Sequence, residues 1–351
     1  MTASVEPPRA ASLSVVVPTF NDLERIGDAL ESIVGQTARP GEIVVSDDAS
    51  EQDVEGFVRE FAAGRAHGIP VRYVRLASNS GDAAARNTGI AASQGDWIAI
   101  CDSDDVWAPA KLERQIEFVR AWTGGRRIAL LGTHGYNIND RKRVISAAVM
   151  GPTSEREYEA VRHRGGLFFA IHSSIMYSRA DYDALGGYRT DEYGAANEFD
   201  LFCRMAERGV VMNLPERLVY YRKRAGSMQL DLFWERHRNV TRLAENQRRR
   251  ARGQSPVSKE QFAAQLAAEP AWRRLMRRKR VWGMYWYRAG ATDLVNGRRL
   301  RGGAELALAC ALDSARLRHG LQGALRGRLP RRASSRRRVP GEPTPSAWPP
   351  A

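Results

Sequence analysis

Cysteine is scarce in this chain. Three occur in 351 residues, Cys101, Cys203 and Cys310, far apart. That spacing argues against a disulfide framework and a cysteine metal site, and it suits a reducing compartment. Long apolar runs are also missing. No stretch approaches the roughly 18 to 20 consecutive apolar residues of a membrane-spanning helix. The first twelve residues lack the charged-then-apolar layout of a secretory signal. The cytoplasm is therefore the expected compartment. No glycine-rich phosphate loop with lysine follows the first apolar run, which counts against a nucleotidyltransferase.

Acids are scarce in one region only. From Arg236 onward there are 27 Lys+Arg against 7 Asp+Glu, whereas residues 1–235 hold 27 against 33. The net charge of +14 thus belongs to the last third. With 43% hydrophobic and 27% charged residues, the whole has the composition of a soluble globular protein.

What is present is an alternation. Valine-rich or apolar runs at 13–17, 42–46, 71–76, 97–101 and 127–132 read as strands. Between them, stretches with apolar residues at helical spacing read as helices, the first capped by Asn21 or Asp22. Such an order implies an α/β fold with a mostly parallel central sheet flanked by helices. Ligands of such sheets bind beyond the carboxyl ends of the strands. There the chain places Pro18-Thr19 after the first strand, Asp47-Asp48 after the second and the run "CDSDDVW" after the fourth. In that run Asp102, Asp104 and Asp105 crowd into four positions. A D-x-D-D turn can hold a hard divalent cation through oxygen ligands, or it can be a solvated turn that caps the next helix.

Several segments in order resemble family 2 glycosyltransferases. They are "SVVVPTFND", "QTARPGEIVVSDDAS", "NSGDAAARNTGI" and "GDWIAICDSDDVWAPAKLERQ", followed by "GGYRTDEYGAANEFDLFCRMAERG" and "LPERLVYYRKRAGSM". The resemblance covers roughly 12–228. It implies a glycosyltransferase A-type, Rossmann-like domain and an inverting transfer of a sugar from a nucleotide-diphosphosugar, a UDP- or dTDP-sugar, to an acceptor hydroxyl. The setting it implies is cell-surface polysaccharide or glycolipid synthesis, with Mg²⁺ or Mn²⁺ as cofactor.

By position, the resemblance gives each loop a role. Pro18, Thr19 and Phe20 would line the base pocket, and Asp48 would bond the base, with Asp47 supporting the loop. Asn79, Gly81 and Arg86 match the segment that approaches the nucleotide and diphosphate. Asp102 would contact the ribose, and Asp104 with Asp105 would serve the metal. Glu198 falls on the position of the general base, with Asn197 where relatives carry an acid. Asp200 is a helix support or an alternative base, and Asp191 and Glu192 are further carboxylates nearby. Arg222, Lys223 and Arg224 supply cations for the diphosphate, Arg224 standing where many relatives have histidine. His172 reads as a core residue or part of an acceptor site.

The expected organisation is a disordered 1–12, a catalytic domain at 13–228, a mainly helical basic extension at 229–328 and a disordered tail at 329–351. The extension interleaves Arg with Trp and Tyr. That pattern suits an anionic membrane surface, a helical layer packed on the catalytic domain or, least favoured, nucleic acid. A nucleic-acid-binding protein on an α/β scaffold is the rival reading. The implied partners are a nucleotide-sugar donor, a saccharide or lipid-linked saccharide acceptor, and the inner face of the plasma membrane.

Overall fold

The computed structural model describes residues 6–223 and 232–313. Four parallel strands form one half of the sheet: β1 (Leu13–Thr19), β2 (Glu42–Asp47), β3 (Val71–Arg75) and β4 (Trp97–Ile100). Their order is β3-β2-β1-β4. Val15, Val16 and Val17 are fully buried, because helices cover both faces of β1. The connecting helices are α1 (Leu23–Val34), α2 (Val54–Gly64) and α3 (Asp82–Ala92). Helix α3 lies unusually close to the sheet. A Cβ on Gly89 would come within 2.5 Å of Val16 Cγ1, so only glycine permits this approach. Ser46 Oγ, donating to the Ala85 carbonyl at 2.7 Å, fixes the same contact.

The other half of the sheet is mixed, where the sequence pattern implied mostly parallel strands. It contains β5 (Val106–Trp107), β6 (Ile128–Ile138), β7 (Val144–Ala148), β8 (Met176–Ser178) and β9 (Val210–Arg222). The order continues β4-β8-β6-β9-β5, with β7 paired to β6. β8 runs antiparallel to β4 and β6, and β5 antiparallel to β9, while β6 and β9 are parallel. Short antiparallel strands need no crossover helix, so they leave no alternating signal in the sequence. Helices α4 (Lys111–Ala121), α5 (Glu155–His163), α6 (Arg179–Ala184) and α7 (Asn197–Arg208) complete this half.

Two expectations about the ends meet the structure. Residues 6–12, expected to be structureless with the rest of 1–12, are placed on the fold. The Trp97 indole N–H donates to the Glu6 carbonyl at 3.0 Å, Pro8 is buried, and Ala10–Ser12 form a 3₁₀ turn. The physical reason is Trp97 itself, 2% exposed and in need of an acceptor. The extension is helical: α8 (Phe233–Ala251), α9 (Lys259–Ala267), α10 (Ala271–Val295) and α11 (Arg299–Leu312). Helices α10 and α11 pair as a hairpin, Gly290 against Gly302. No helix among the described residues is long and apolar enough to cross a membrane. The tail at 329–351 lies outside the described residues.

Candidate active site

β1 and β2 end side by side, with Thr19 paired to Asp47. The loops beyond them are tied together. Asn21 N donates to Ser50 Oγ, and Glu51 N donates to Asn21 Oδ1, each at 2.8 Å. Asp47 is fully buried and accepts from Ser50, Tyr73 Oη and Arg75. It is a loop brace. Asp48, also buried, accepts the Ser80 N–H at Oδ1 and the Gly81 N–H at Oδ2, each at 2.8 Å. These bonds draw residues 80 and 81 over the end of β2. Burial raises the Asp48 pKa, and the two N–H groups only partly offset it. An ionised carboxylate has about four acceptor sites, so two are left over for another donor. Pro18 and Thr19 are buried, with Thr19 Oγ1 lacking a partner, while Phe20 and Asn79 are exposed. Gly81 precedes α3 at a φ of 88°.

The acidic turn separates its three carboxylates. Cys101 N bonds to the Val16 carbonyl and Asp105 N to the Asp102 carbonyl, each at 3.1 Å. Ser103 Oγ donates to Asp22 Oδ2 at 2.8 Å, fastening the turn to α1. Asp102 and Asp104 are partly exposed, but Asp105 is fully buried. Its Oδ1 accepts the Arg222 N–H at 2.8 Å. Burial first, then the charges of Asp104 and Asp102, push the Asp105 carboxyl well above the usual range. One of the three acids is thus buried and bonded to β9, leaving the other two at the partly exposed edge of the turn. Of the two residues expected to hold a metal, Asp104 is at the surface and Asp105 is a fastening to β9.

Among the described residues no three His, Cys, Asp or Glu side chains are grouped to hold a metal. Asp102 and Asp104 offer two carboxylates. That donor set suits Mg²⁺ or Mn²⁺ where substrate phosphates complete the coordination, as these cations commonly take only one or two protein carboxylates.

Arg86 joins the parts of the site. It lies in α3 one turn before Gly89 and is buried. Its Nη1 donates to Asp82 Oδ2 at 2.6 Å and to Asn197 Oδ1 at 3.4 Å, and its Nη2 to Asp102 Oδ1 at 3.3 Å. Asn197 Nδ2 in turn donates to Asp82 Oδ1 at 3.0 Å. One guanidinium therefore ties the acidic turn to the start of α7. Burial opposes the charge on Asp102, but Arg86 and then His172 outweigh it and hold that carboxyl well below the usual range. His172 Nδ1 is 3.5 Å from Asp102 Oδ1, and its Nε2 meets Tyr188 Oη at 2.9 Å. Arg86 thus faces protein carboxylates.

Glu198 stands in the first turn of α7, where a helix N-terminus favours a carboxylate. It is 7% exposed and pairs with Arg236 of α8. Asp200, two residues on, is 1% exposed and accepts from Arg204 Nε at 2.7 Å. Arg204 also holds the Leu185 and Gly187 carbonyls, so Asp200 braces the turn before α7. Asp191 and Glu192 line a separate surface cleft with Arg189 and Arg242.

In the basic segment after β9, Arg222 is buried and engaged. Its Nε donates to the Asp104 carbonyl at 2.7 Å, Nη1 to the Asp140 carbonyl at 3.5 Å and Nη2 to Asp28 at 3.4 Å. It shapes the acidic turn, where a diphosphate contact was expected. Lys223 is partly exposed, with Nζ 4.0 Å from the Tyr221 ring centroid. Burial lowers its pKa to about 8, against a smaller upward pull from Asp105. Arg224 lies outside the described residues.

Sequence reading did not single out Asp82, Tyr188 or Arg236. Asp82 left no signal apart from its helix-opening place. Arg236 belongs to a run, Arg236, Asn239, Arg242 and Asn246, of polar residues at helical spacing, a pattern legible in "RHRNVTRLAEN".

The sequence profile described as Glycosyl transferase family 2 matches residues 14–186. An uncharacterized glycosyltransferase of Haemophilus influenzae is 30% identical over 202 residues, 56% of this chain and 69% of that protein. The uncharacterized glycosyltransferase YwdF of Bacillus subtilis is 28% identical over 275 residues, 77% of this chain and 95% of that protein. The succinoglycan biosynthesis protein ExoO of Rhizobium meliloti is 32% identical over 166 residues, 47% of this chain and 46% of that protein. Among solved structures, S. aureus TarS 1-349 in complex with UDP-GlcNAc superposes with a TM-score of 0.52 at 15% identity, over 88% of this chain and 92% of that one. The mannosyltransferase PcManGT of Pyrobaculum calidifontis, in complex with GDP-Man and Mn²⁺, gives 0.51 at 18% identity, over 92% and 83%. At these identities the structural likeness speaks for the fold.

Proposed function

The chain belongs to glycosyl transferase family 2, and from that premise we propose that it is an inverting transferase using a nucleotide-diphosphosugar donor and a saccharide or lipid-linked saccharide acceptor. The observation that carries this reading is Arg86, which joins Asp102 of the acidic turn to Asn197, the neighbour of Glu198. Donor-side carboxylates and a candidate base are thereby set by one buried cation. Polysaccharide synthesis is the favoured setting, supported by the succinoglycan protein among the relatives.

In this reading Pro18, Thr19, Phe20 and Asp48 surround the base, and Asn79, Gly81 and Asp102 border the ribose and phosphates. Asp104, with Asp102, would hold Mg²⁺ or Mn²⁺, which when bound supplies positive charge to the diphosphate. Glu198 takes the proton of the acceptor hydroxyl as its oxygen attacks the anomeric carbon. The carbon–oxygen bond to the diphosphate breaks, and the electron pair leaves with the nucleoside diphosphate. Inversion follows from this single displacement. Lys223 lies within electrostatic reach of Asp104, Asp105 and Arg236, and its charged form favours the departing phosphates. The Asp48 carboxylate, bonded to the loop before α3, sets the floor of the base pocket.

The first ten residues of α10, 271–280, hold six cations and no acid. Trp272, Leu275 and Met276 are 63%, 56% and 49% exposed and share one face at i, i+3, i+4 spacing. Arg273 and Arg280 flank that face on one side and Arg278 on the other, at about 100° per residue. An apolar stripe between arginines suits the headgroup layer of an anionic membrane. We place the enzyme's work at that surface, on its cytoplasmic side.

A thermal-shift screen of UDP-, GDP- and dTDP-sugars with and without Mn²⁺ tests the donor reading. A stabilisation that one nucleotide gives only with the metal supports it. No shift with any donor contradicts it.

A further inference from the structure

One face of α8 is devoted to the loop that leads into Glu198. Glu235 Oε1 accepts the Ala195 N–H at 3.4 Å, and Arg236 Nη1 donates to the Ala195 carbonyl at 2.9 Å. Asn239 Nδ2 donates to the Tyr193 carbonyl at 2.9 Å. Arg242 Nη2 donates to the Glu192 carbonyl, and its guanidinium lies 4.3 Å from the Tyr193 ring centroid. Asn246 Nδ2 reaches Tyr193 Oη at 3.3 Å. Positions 235, 236, 239, 242 and 246 recur at helical spacing, so one stripe contacts the loop along about three turns.

The packing of that stripe is specific. Asn239, Arg242 and Asn246 are 6%, 3% and 1% exposed. Polar groups this buried are costly unless paired: Asn239 and Arg242 pair with main-chain groups of the 192–195 loop, and Asn246 with Tyr193 Oη and the main chain of Val257. A Cβ on Gly194 would come within 2.0 Å of Glu235 Oε1, so loop and helix are in close contact. Within this interface the Arg236 guanidinium lies 4.9 Å from the Phe199 ring centroid and pairs with Glu198. Its other amino group is on the Ala195 carbonyl, three residues before Glu198. Two contacts from one rigid fork fix both the carboxylate and the turn that carries it.

We propose that Arg236 is a positioning residue for Glu198, and that α8, the first helix of the basic extension, is part of the catalytic unit. The proposal rests on the reading of Glu198 as the base. It moves the functional boundary of the catalytic domain from about residue 228 to the end of α8 at Ala251. Within the basic third it separates a paired arginine at the site from the exposed arginines of α10.

The test uses the full chain and whichever of UDP-, GDP- or dTDP-sugar it turns over, with release of the nucleoside diphosphate as the readout. Arg236→Ala is expected to lower kcat by about 100-fold, the cost of a misplaced catalytic group, with KM for the donor and binding of the nucleoside diphosphate unchanged. Arg236→Lys should recover part of the loss, and added guanidinium should recover part of it in Arg236→Ala. Arg236→Gln, able to hold the Ala195 carbonyl without charge, should fold as the parent does and still show most of the loss in kcat seen in Arg236→Ala. Unchanged kcat in Arg236→Ala would overturn the proposal. So would a loss accompanied by a lower melting temperature that neither lysine nor guanidinium relieves, since that marks a purely structural role. Glu198→Gln is measured alongside: if it retains full turnover, the base assignment falls and the positioning role falls with it. If it is inactive while Arg236→Ala is active, the positioning role alone falls.

Discussion

Arg86 and Asp102 meet at 3.3 Å between α3 and the acidic turn, with Asp82 holding the same guanidinium at 2.6 Å. The pair lowers the Asp102 pKa, so its contribution to stability is full above the unfolded value, about 4, and is lost as pH falls through the lowered folded value. Arg86→Met should cost about 1–3 kcal/mol in urea unfolding at neutral pH, the penalty for leaving two partly exposed carboxylates and Asn197 without their partner. Arg86→Lys should fold but lose transfer, because an ammonium cannot span both Asp102 and Asn197. Full transfer by Arg86→Lys would show that the bridge is dispensable.

Asp104 and Asp105 should separate cleanly under amide substitution. Asp105 is fully buried with Oδ1 on the Arg222 N–H, an acceptor that an amide retains, so Asp105→Asn should leave the fold and Mn²⁺-dependent nucleotide binding nearly intact. Asp104→Ala should abolish the metal-dependent part of nucleotide binding. Calorimetric titration of nucleoside diphosphate with and without Mn²⁺ checks both. The reverse pattern would make Asp105 the ligand.

The loops that build the site were legible in the sequence; the division between Asp104 and Asp105 was not. Val15–Val17, Pro18, Asp47-Asp48 and the acidic turn all fall at strand ends, because strand runs and turn residues are local signals. The order of β8, β6, β9 and β5 was not legible, since β8 and β5 are only three and two residues long and β6 and β9 pair across about seventy intervening residues. The burial of Asp105 and the engagement of Arg222 were also hidden. Each depends on a partner more than a hundred residues away, Arg222 meeting Asp104 and Asp105 from β9. The Glu198–Arg236 pair crosses 38 positions and a change of composition, so the basic run masked it.

Lys111 makes stability depend on pH. It is fully buried in α4, with Nζ 2.8 Å from Gln115 Oε1 and 3.7 Å from the Trp107 ring centroid. Burial lowers its pKa to about 7 from 10.5. Between those values the unfolded chain binds the extra proton, so stability rises with pH across that window, by on the order of 4 kcal/mol. Lys111→Met should flatten this rise in urea unfolding followed from pH 6 to pH 10, an interval that takes in most of that window. Parallel curves for the two proteins would contradict the assignment.

Membrane attachment should depend on the start of α10. The protein is expected to co-sediment with vesicles of phosphatidylglycerol and phosphatidylcholine, and not with phosphatidylcholine alone. Replacing Arg273, Arg278 and Arg280 by Glu should abolish binding, since each basic residue near such a surface contributes about 1 kcal/mol. Replacing Trp272, Leu275 and Met276 by Ala should weaken it. Binding that survives both sets, or that favours single-stranded nucleic acid, would refute this surface.

In the proposed transfer Glu198 acts as the base while the loops at the strand ends hold the donor. The most direct measurement of that division of roles is Glu198→Gln, assayed for transfer and for nucleotide binding in the same preparation. Transfer should vanish while binding of the donor nucleotide with Mn²⁺ stays within about threefold of the parent, as a group acting only in the chemical step requires. Transfer at the parent rate would contradict it.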